Sequence, residues 1–170
     1  MTQVNTNLLD SPAEIIRQLM IQSPGAAVVD GAGYGAASAP LTGVWPIYKS
    51  VQPDPTYNQI TVKLTQGVDA GRSMYDGEML SHFAFQLRVR AVDDEVGITK
   101  LWAIRSWMES GVYYQQVSVF NKDADATTLY LVPCLSGIGQ ALELGRDRPS
   151  SAMWNGTLNF FSPIRYIVGQ

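Results

Sequence analysis

Few residues in this chain of 170 have the types and spacing that catalysis or metal binding requires. The cluster Gly31-Ala32-Gly33-Tyr34-Gly35 could suggest a dinucleotide-binding turn, but Ala-Ala-Ser-Ala-Pro40 follows in place of the helix that such a turn needs. The one histidine, His82, lies about fifty residues before the one cysteine, Cys134, so nothing pairs a nucleophile with a base. These two residues are also too few to bind zinc. The sequence therefore predicts no metal and no cofactor.

Two groups of carboxylates could in principle perform acid–base catalysis, and both have a structural explanation. Asp93, Asp94 and Glu95 precede an apolar helical pattern, where acidic residues cap the helix and favour its dipole. Asp123 and Asp125 lie in Asn-Lys-Asp-Ala-Asp-Ala, a composition typical of a hairpin turn. We therefore predict that the protein is not an enzyme, with an unrecognised catalytic pocket as the alternative.

The run GVDAGRSMYDGE lies in a connection from about 66 to 81, longer than neighbouring antiparallel strands usually need. Its acidic residues do not have the alternating spacing of a calcium loop. Arg72 lies between Asp69 and Asp76, and Glu78 follows. A polar arm of this kind is suited to charge-assisted docking, so we predict that it contacts another subunit.

Arg105 falls within the apolar arc of a predicted helix. A charge in that position must either extend its head group toward water or form an ion pair with a neighbouring element or subunit. Both alternatives stay open from the sequence.

Composition restricts the kind of partner. With 46% apolar residues, the chain is the size of one globular domain. A net charge of −3 gives no general attraction to nucleic acid or to an anionic membrane.

The single Cys134, in an apolar run, is expected to be a buried thiol in a reducing compartment. The first ten residues lack the pattern of a signal peptide, and no apolar run is long enough to span a membrane.

The apolar periodicity predicts an α+β fold, a mostly antiparallel β-sheet flanked by two helices. The first helix covers 12–22, with Ser11 as its cap and Glu14 completing a capping box, and the second runs from the Asp93 cap to Ser110, where Gly111 ends it. Strands are predicted at 44–50, 57–65, 82–91, 113–120 and 127–135, followed by a last pair of segments at 138–144 and 152–161. The order is α-β-β-β-α-β-β-β in a single domain, with a flexible arm at 1–10, long loops at 23–42 and 66–81, and a short tail at 163–170. Leu129-Tyr130-Leu131-Val132 is apolar on both faces, which is typical of a strand covered on both sides.

Several stretches, in this order and spacing, resemble the tail terminator family of long-tailed bacteriophages, whose members are often described as minor tail or minor capsid proteins. They are SPAEIIRQLMI, WPIYKSVQPDPTYNQITV, TQGVDAGRSMYDGEMLSHFAFQLRVRA, AIRSWME, LVPCLSGIGQALELGRDRPSS and WNGTLNFFSP. The resemblance covers residues 11–162. Three segments depart from the family pattern, at 1–10, 25–42 and 164–170.

Membership of this family would imply a six-membered ring at the head-proximal end of the tail, in the virion, assembled in the cytoplasm of the bacterial host. The ring would stop tube polymerisation and present a surface to the head connector, so the implied partners are further copies of this chain, the tail tube protein and the connector, with DNA only passing through the lumen. The resemblance implies contacts at the arm around Arg72 and Asp76 and at the LGRDRP turn with Arg146, Asp147 and Arg148. Arg88 and Arg90 would line a subunit interface or the lumen. The alternatives are a head-completion protein and a tail tube protein.

Overall fold

The computed structural model describes residues 4–5, 8–31, 43–51, 57–72, 79–121, 125–146 and 153–167, with the backbone alone at 4–5, 68–72 and 79–81. The helices are α1 (Pro12–Gln22) and α2 (Asp94–Ser110), with a short 3-10 helix at Pro24–Ala26. The strands are β1 (Val4–Asn5), β2 (Val28–Asp30), β3 (Trp45–Lys49), β4 (Gln59–Leu64), β5 (Val68–Arg72), β6 (Met79–Ala91), β7 (Tyr113–Asn121), β8 (Ala126–Cys134), β9 (Leu142–Arg146), β10 (Trp154–Pro163) and β11 (Arg165–Ile167).

The strands form two sheets. The seven-stranded sheet has the spatial order β2-β3-β4-β6-β10-β9, with β5 also pairing with β6, and the four-stranded sheet has the order β1-β11-β8-β7. The pairs β2–β3 and β3–β4 are parallel, and the other pairs are antiparallel. The predicted α+β class and the order of its principal elements are therefore confirmed.

The two helices have the predicted bounds, but their ends form differently. The Oδ1 atom of Asp93 accepts a hydrogen bond from the Val96 amide at 3.1 Å, as expected of a helix cap. At α1 the predicted capping box is absent, because the Ser11 side chain makes no capping bond and the Glu14 carboxylate accepts from Arg17 and Gln18 instead. Local sequence located both helices correctly, whereas tertiary contacts decided how α1 begins.

Glycine is required at Gly111, the end of α2, because a side chain there would clash with Trp107. Its φ of −102° is open to any residue, so no left-handed conformation requires glycine there. A Cβ atom at this position would lie 2.8 Å from Cδ1 and 2.9 Å from the carbonyl oxygen of Trp107. The absence of a side chain lets the chain turn closely past the last buried ring of the helix.

Short strands occupy segments that were predicted to be loops, an arm or a tail. β2 lies within 23–42, β5 within 66–81, β1 within 1–10 and β11 within 163–170. Each has two to five residues and gains its backbone hydrogen bonds from a strand distant in sequence or across a hairpin. Such short strands carry little local signal, because pairing and not propensity stabilises them.

The arm at 66–81 includes a paired strand. Val68 pairs with His82, and Arg72 pairs with Met79, with an irregularity in register between them. β6 is therefore thirteen residues long, with one end paired to β5 and the rest lying between β4 and β10. The connection predicted as a long loop at 66–81 therefore contains strand at residues 68–72 and 79–81.

The core lies between the two sheets, with α1 in contact with both. α1 packs against β7 of the four-stranded sheet and against β3 and β4 of the seven-stranded sheet, while α2 packs on β6 and β10. Leu87 and Leu158 are paired across β6 and β10, and the neighbouring rings of Phe85 and Phe160 stack with centroids 5.3 Å apart. One continuous set of buried apolar side chains therefore joins both helices and both sheets.

Leu87→Ala is expected to lower the free energy of unfolding by about 2–5 kcal/mol, because Leu87 is fully buried and its removal leaves a cavity. Urea denaturation followed by circular dichroism measures the change. The matched control is Leu142→Ala, since Leu142 lies half-exposed on the edge strand β9 and should change stability by less than about 0.5 kcal/mol. Equal losses in the two variants would contradict the assigned core.

Candidate interaction surfaces

Arg88 and Arg90 lie on the face of the seven-stranded sheet opposite the apolar core. Arg88 is flanked by Thr61 on β4 and Thr157 on β10, which also face away from the core. Arg90 has Gln59 on β4 and Asn155 on β10 as its cross-strand neighbours. Their alternation with Leu87 and Val89 follows from the period of a β-strand.

This polar face is buried to an unusual degree. Arg90 is 8% exposed, and its neighbours Gln59 and Asn155 are also buried. Arg88 is only partly buried, and its Nε donates a hydrogen bond to Oδ1 of Asn155 at 3.1 Å. Buried polar groups require partners, so this cluster fixes side-chain positions within the chain. Arg88 is therefore better placed than Arg90 to meet another molecule.

Arg105 forms its ion pair within its own helix. Its Nε donates to Oε1 of Glu109 at 3.0 Å, four residues along α2. Its guanidinium also lies 5.2 Å from the ring centroid of Trp102, which is 50% exposed. The arginine therefore extends along an exposed tryptophan, an arrangement that contributes apolar and cationic surface together.

Arg146 joins β9 to the start of α2. Its Nη2 lies 3.1 Å from Oδ1 of Asp94, in the first turn of the helix. Both side chains are about half-exposed, so the pair contributes little to stability and can be exchanged for a contact with another molecule. For Asp69 and Arg72 only the backbone of β5 is described. Asp76, Glu78, Asp147 and Arg148 lie outside the described residues.

Sequence reasoning missed an apolar surface on the outer face of the four-stranded sheet. β8 lies between β11 and β7, as its apolar run suggests, but Leu129 is 43% exposed while Tyr130 and Val132 are buried. Phe120 on β7 has the same orientation as Leu129 and is 55% exposed. The prediction that this run is covered on both sides is therefore wrong within the described part of the chain. The sequence signal for this surface was the presence of apolar residues on the strand face that points away from the core.

Two further exposed tyrosines lie at the start of β7. The rings of Tyr113 and Tyr114 meet edge to face, with centroids 4.7 Å apart. Tyr114 has a left-handed backbone, with φ +48°, and interrupts the ladder between the pairs Tyr113–Cys134 and Gln115–Val132. It lies opposite Pro133, which has no amide hydrogen to donate, so pairing is weakened here. Cys134, expected to be buried, is partly exposed beside it.

A cleft of about 880 Å³ lies between α1, the end of β3 and the end of β7. Four of its charged groups form ion pairs: the Glu14 carboxylate lies 2.9 Å from both Arg17 and Lys49, and Arg17 also pairs with Asp30. The Asp10 carboxylate accepts a hydrogen bond from the Tyr130 hydroxyl at 2.7 Å. The Gln22 side-chain amide bonds both the amide and the carbonyl of Ser118, so it satisfies backbone groups of the edge strand β7. The cleft is therefore lined by groups that already have partners.

Burial alone would raise the pKa of Glu14, but the hydrogen bond from Gln18 and the charges of Lys49 and Arg17 outweigh it, so the pKa lies below its ordinary value of 4.5. A carboxyl group with a depressed pKa stabilises the fold above its unfolded pKa, and this stabilisation is lost as pH falls through the folded value. The pKa shift is thus in the direction of a structural carboxylate and opposite to that of a general acid.

Glu14→Gln is expected to lower the free energy of unfolding by about 1–3 kcal/mol at pH 7, because two cations lose their carboxylate partner. The difference from the unsubstituted protein should shrink as pH falls below about 4.5. Denaturation at a series of pH values measures it. Glu109→Gln serves as the control, since its exposed pair within α2 should be worth less than about 0.5 kcal/mol. A pH-independent difference would contradict the assigned role of Glu14.

Among the residues with described side chains, no group of three or more His, Cys, Asp or Glu could hold a metal ion. Neither α1 nor α2 is long and apolar enough to cross a membrane. No protein-family model matches the chain, and no curated protein matches it. Among solved structures, the chain aligns with one from the virion of a native gene transfer agent particle at 19% sequence identity, covering 84% of this chain and 95% of that one, with a TM-score of 0.41. A TM-score of this size does not establish a shared fold.

Proposed function

We propose that this chain is a structural virion protein, the tail terminator of a long-tailed bacteriophage. In this proposal six copies form a ring at the head-proximal end of the tail, where the ring stops polymerisation of the tube and joins the head connector. The proposal is supported by the sequence resemblance over residues 11–162 and by the distribution of exposed apolar side chains.

The observation that carries the proposal is the presence of two different apolar surfaces on one chain. The helix surface consists of Trp102 on α2 with Arg105 against its ring, and the sheet surface consists of Phe120 and Leu129 on the outer face of the four-stranded sheet. A ring is built from head-to-tail contacts, in which each copy uses two distinct patches. Exposed aromatic side chains are typical anchors of such contacts.

The chemistry of the cleft favours an assembly role over catalysis. Glu14 and Asp30 are paired with Arg17 and Lys49, and the pKa of Glu14, a largely buried carboxyl, is lowered. A catalytic cleft usually holds a group whose pKa is shifted toward the working pH. A small enzyme is therefore the less supported alternative.

We further propose that the charged groups at the edges of the fold meet the neighbouring proteins. Arg146 is about half-exposed and forms an exposed pair with Asp94, and the arm containing Arg72 precedes the long strand β6 and pairs with it as β5. Together with Asp69, Asp76, Glu78, Asp147 and Arg148, these residues are assigned to contacts between copies or with the tube. Arg88 is assigned to a subunit contact or to the lumen through which DNA passes.

The first test is assembly of the purified protein with and without the tube protein of its phage, measured by light scattering and negative-stain microscopy. Six-membered rings, or caps that arrest tube growth, would support the terminator. Unlimited tubes of this chain alone would favour a tube protein. A persistent monomer that neither binds nor stops tubes would contradict an assembly role.

Trp102→Glu and Leu129→Glu are each expected to abolish rings, because a charge is placed in one of the two apolar surfaces. If the helix surface of one copy contacts the sheet surface of the next, an equimolar mixture of the two variants should form pairs, since each variant keeps one intact surface. Analytical ultracentrifugation distinguishes monomers, pairs and rings.

The matched control is Leu142→Glu, an equally polar change at a half-exposed residue on β9 outside both surfaces, which should leave ring formation unchanged. Rings that survive both surface substitutions would show that these patches do not join the copies. If the two variants stay monomeric when mixed, the helix surface of one copy does not contact the sheet surface of the next.

A further inference from the structure

The Lys100 ammonium lies in a closed site formed by backbone oxygens. Its Nζ donates hydrogen bonds to the carbonyl oxygens of Ala27 at 2.7 Å, Gly43 at 3.1 Å and Ala26 at 3.2 Å. The ring centroid of Trp45 is 5.6 Å away on another side. Three donors therefore meet three acceptors, with an aromatic face completing the enclosure.

The site has the chemistry that binds a monovalent cation. Backbone carbonyl oxygens at these distances replace the hydration shell of such an ion. Two of the oxygens come from the end of the 3-10 helix, where carbonyl groups lack helical partners and the dipole is negative. Lys100 is 8% exposed, and no carboxylate forms a salt bridge with it among the described residues. Within the described part of the chain, the groups that neutralise the ammonium are therefore dipoles.

We propose that the carbonyl oxygens of Ala26, Ala27 and Gly43, together with the ring of Trp45, form a monovalent-cation site that the chain's own lysine fills. Filling this site fixes both ends of the segment between Ala27 and Gly43 to α2. The acceptors lie 57 to 74 residues from Lys100 in sequence, so one ammonium joins parts of the chain that are distant from each other.

A second contact from α2 supports this attachment. Nε1 of Trp107, seven residues after Lys100 and thus on the same helix face, donates to Oγ of Ser23 at 2.7 Å. A Cβ atom on Gly25 would lie 2.5 Å from Cδ1 of Trp107, so only glycine permits this approach. α2 therefore holds the turn after α1 at two points.

Burial lowers the pKa of Lys100 to about 8, while the three carbonyl acceptors favour its protonated form. At about pH 6.5 the group is an ammonium. Experiments at that pH test the charged site without a contribution from deprotonation.

The test is chemical rescue of Lys100→Ala. This substitution removes three carbons and the ammonium, which is the shape of n-propylammonium. We expect the variant to melt about 5–10 °C below the unsubstituted protein, because three buried carbonyls lose their donor. Added n-propylammonium should restore most of this loss with saturable dependence on its concentration. 1-Propanol, which is similar in size and uncharged, should not.

Lys63→Ala is the matched control, since it also removes one lysine, from the partly exposed face of β4. It should melt within about 2 °C of the unsubstituted protein and gain nothing from n-propylammonium. Equal effects of n-propylammonium and 1-propanol on Lys100→Ala, or no rescue by either, would overturn the cation site.

A measurement on the unsubstituted protein keeps the proposal testable if Lys100→Ala does not fold. Amine acylation followed by mass spectrometry should modify Lys100 at least about 10-fold more slowly than Lys49 and Lys63, because its ammonium is enclosed. Acylation of Lys100 at the rate of these two lysines would show that the site is open and would contradict the proposal.

Discussion

The ammonium of Lys100 is the contact on which the arrangement of the helices depends. It connects α2 to the end of the turn that follows α1 and to the residue from which the chain enters β3. α1 in turn packs against both sheets, so the position of that turn affects the whole core. A buried charge normally requires an opposite charge, but here three carbonyl dipoles and an aromatic ring surround it. These hydrogen bonds fix the position of α2 relative to the three carbonyl groups, which nonspecific apolar packing would not do.

The seven-stranded sheet has an apolar face and a buried polar face, and the two faces contribute to the fold in different ways. The apolar face supplies most of the driving force for folding through residues such as Leu87 and Leu158. On the other face Arg88, Arg90 and Asn155 form a cluster in which hydrogen bonds must be satisfied, so it restricts register and side-chain orientation. The proposed assembly role requires surfaces held in fixed positions, which such rigidity provides.

The exposed surfaces point toward assembly more directly than any individual charged residue does. The charged residues singled out from the sequence largely have partners within the chain: Arg105 pairs with Glu109, and Arg146 pairs with Asp94. In contrast, Trp102, Phe120 and Leu129 each leave about half of the residue surface exposed to water. Exposed pairs can exchange partners at small cost, so the arginines are suited to orienting a contact that the apolar residues stabilise.

The sequence by itself determined the two helices, the long strands and the inward orientation of Leu87 and Val89, because caps and apolar periodicity act over a few neighbouring residues. Tertiary structure alone decided the short strands β2 and β5, since their stability comes from partners elsewhere in the chain. It also decided that Lys100 is enclosed by carbonyl groups, because the backbone oxygens of Ala26 and Gly43 carry no signal in the residue types. The exposure of Leu129 was likewise decided by tertiary structure. The sequence gives the polarity of each strand face, but the packing of the other elements decides whether that face is covered.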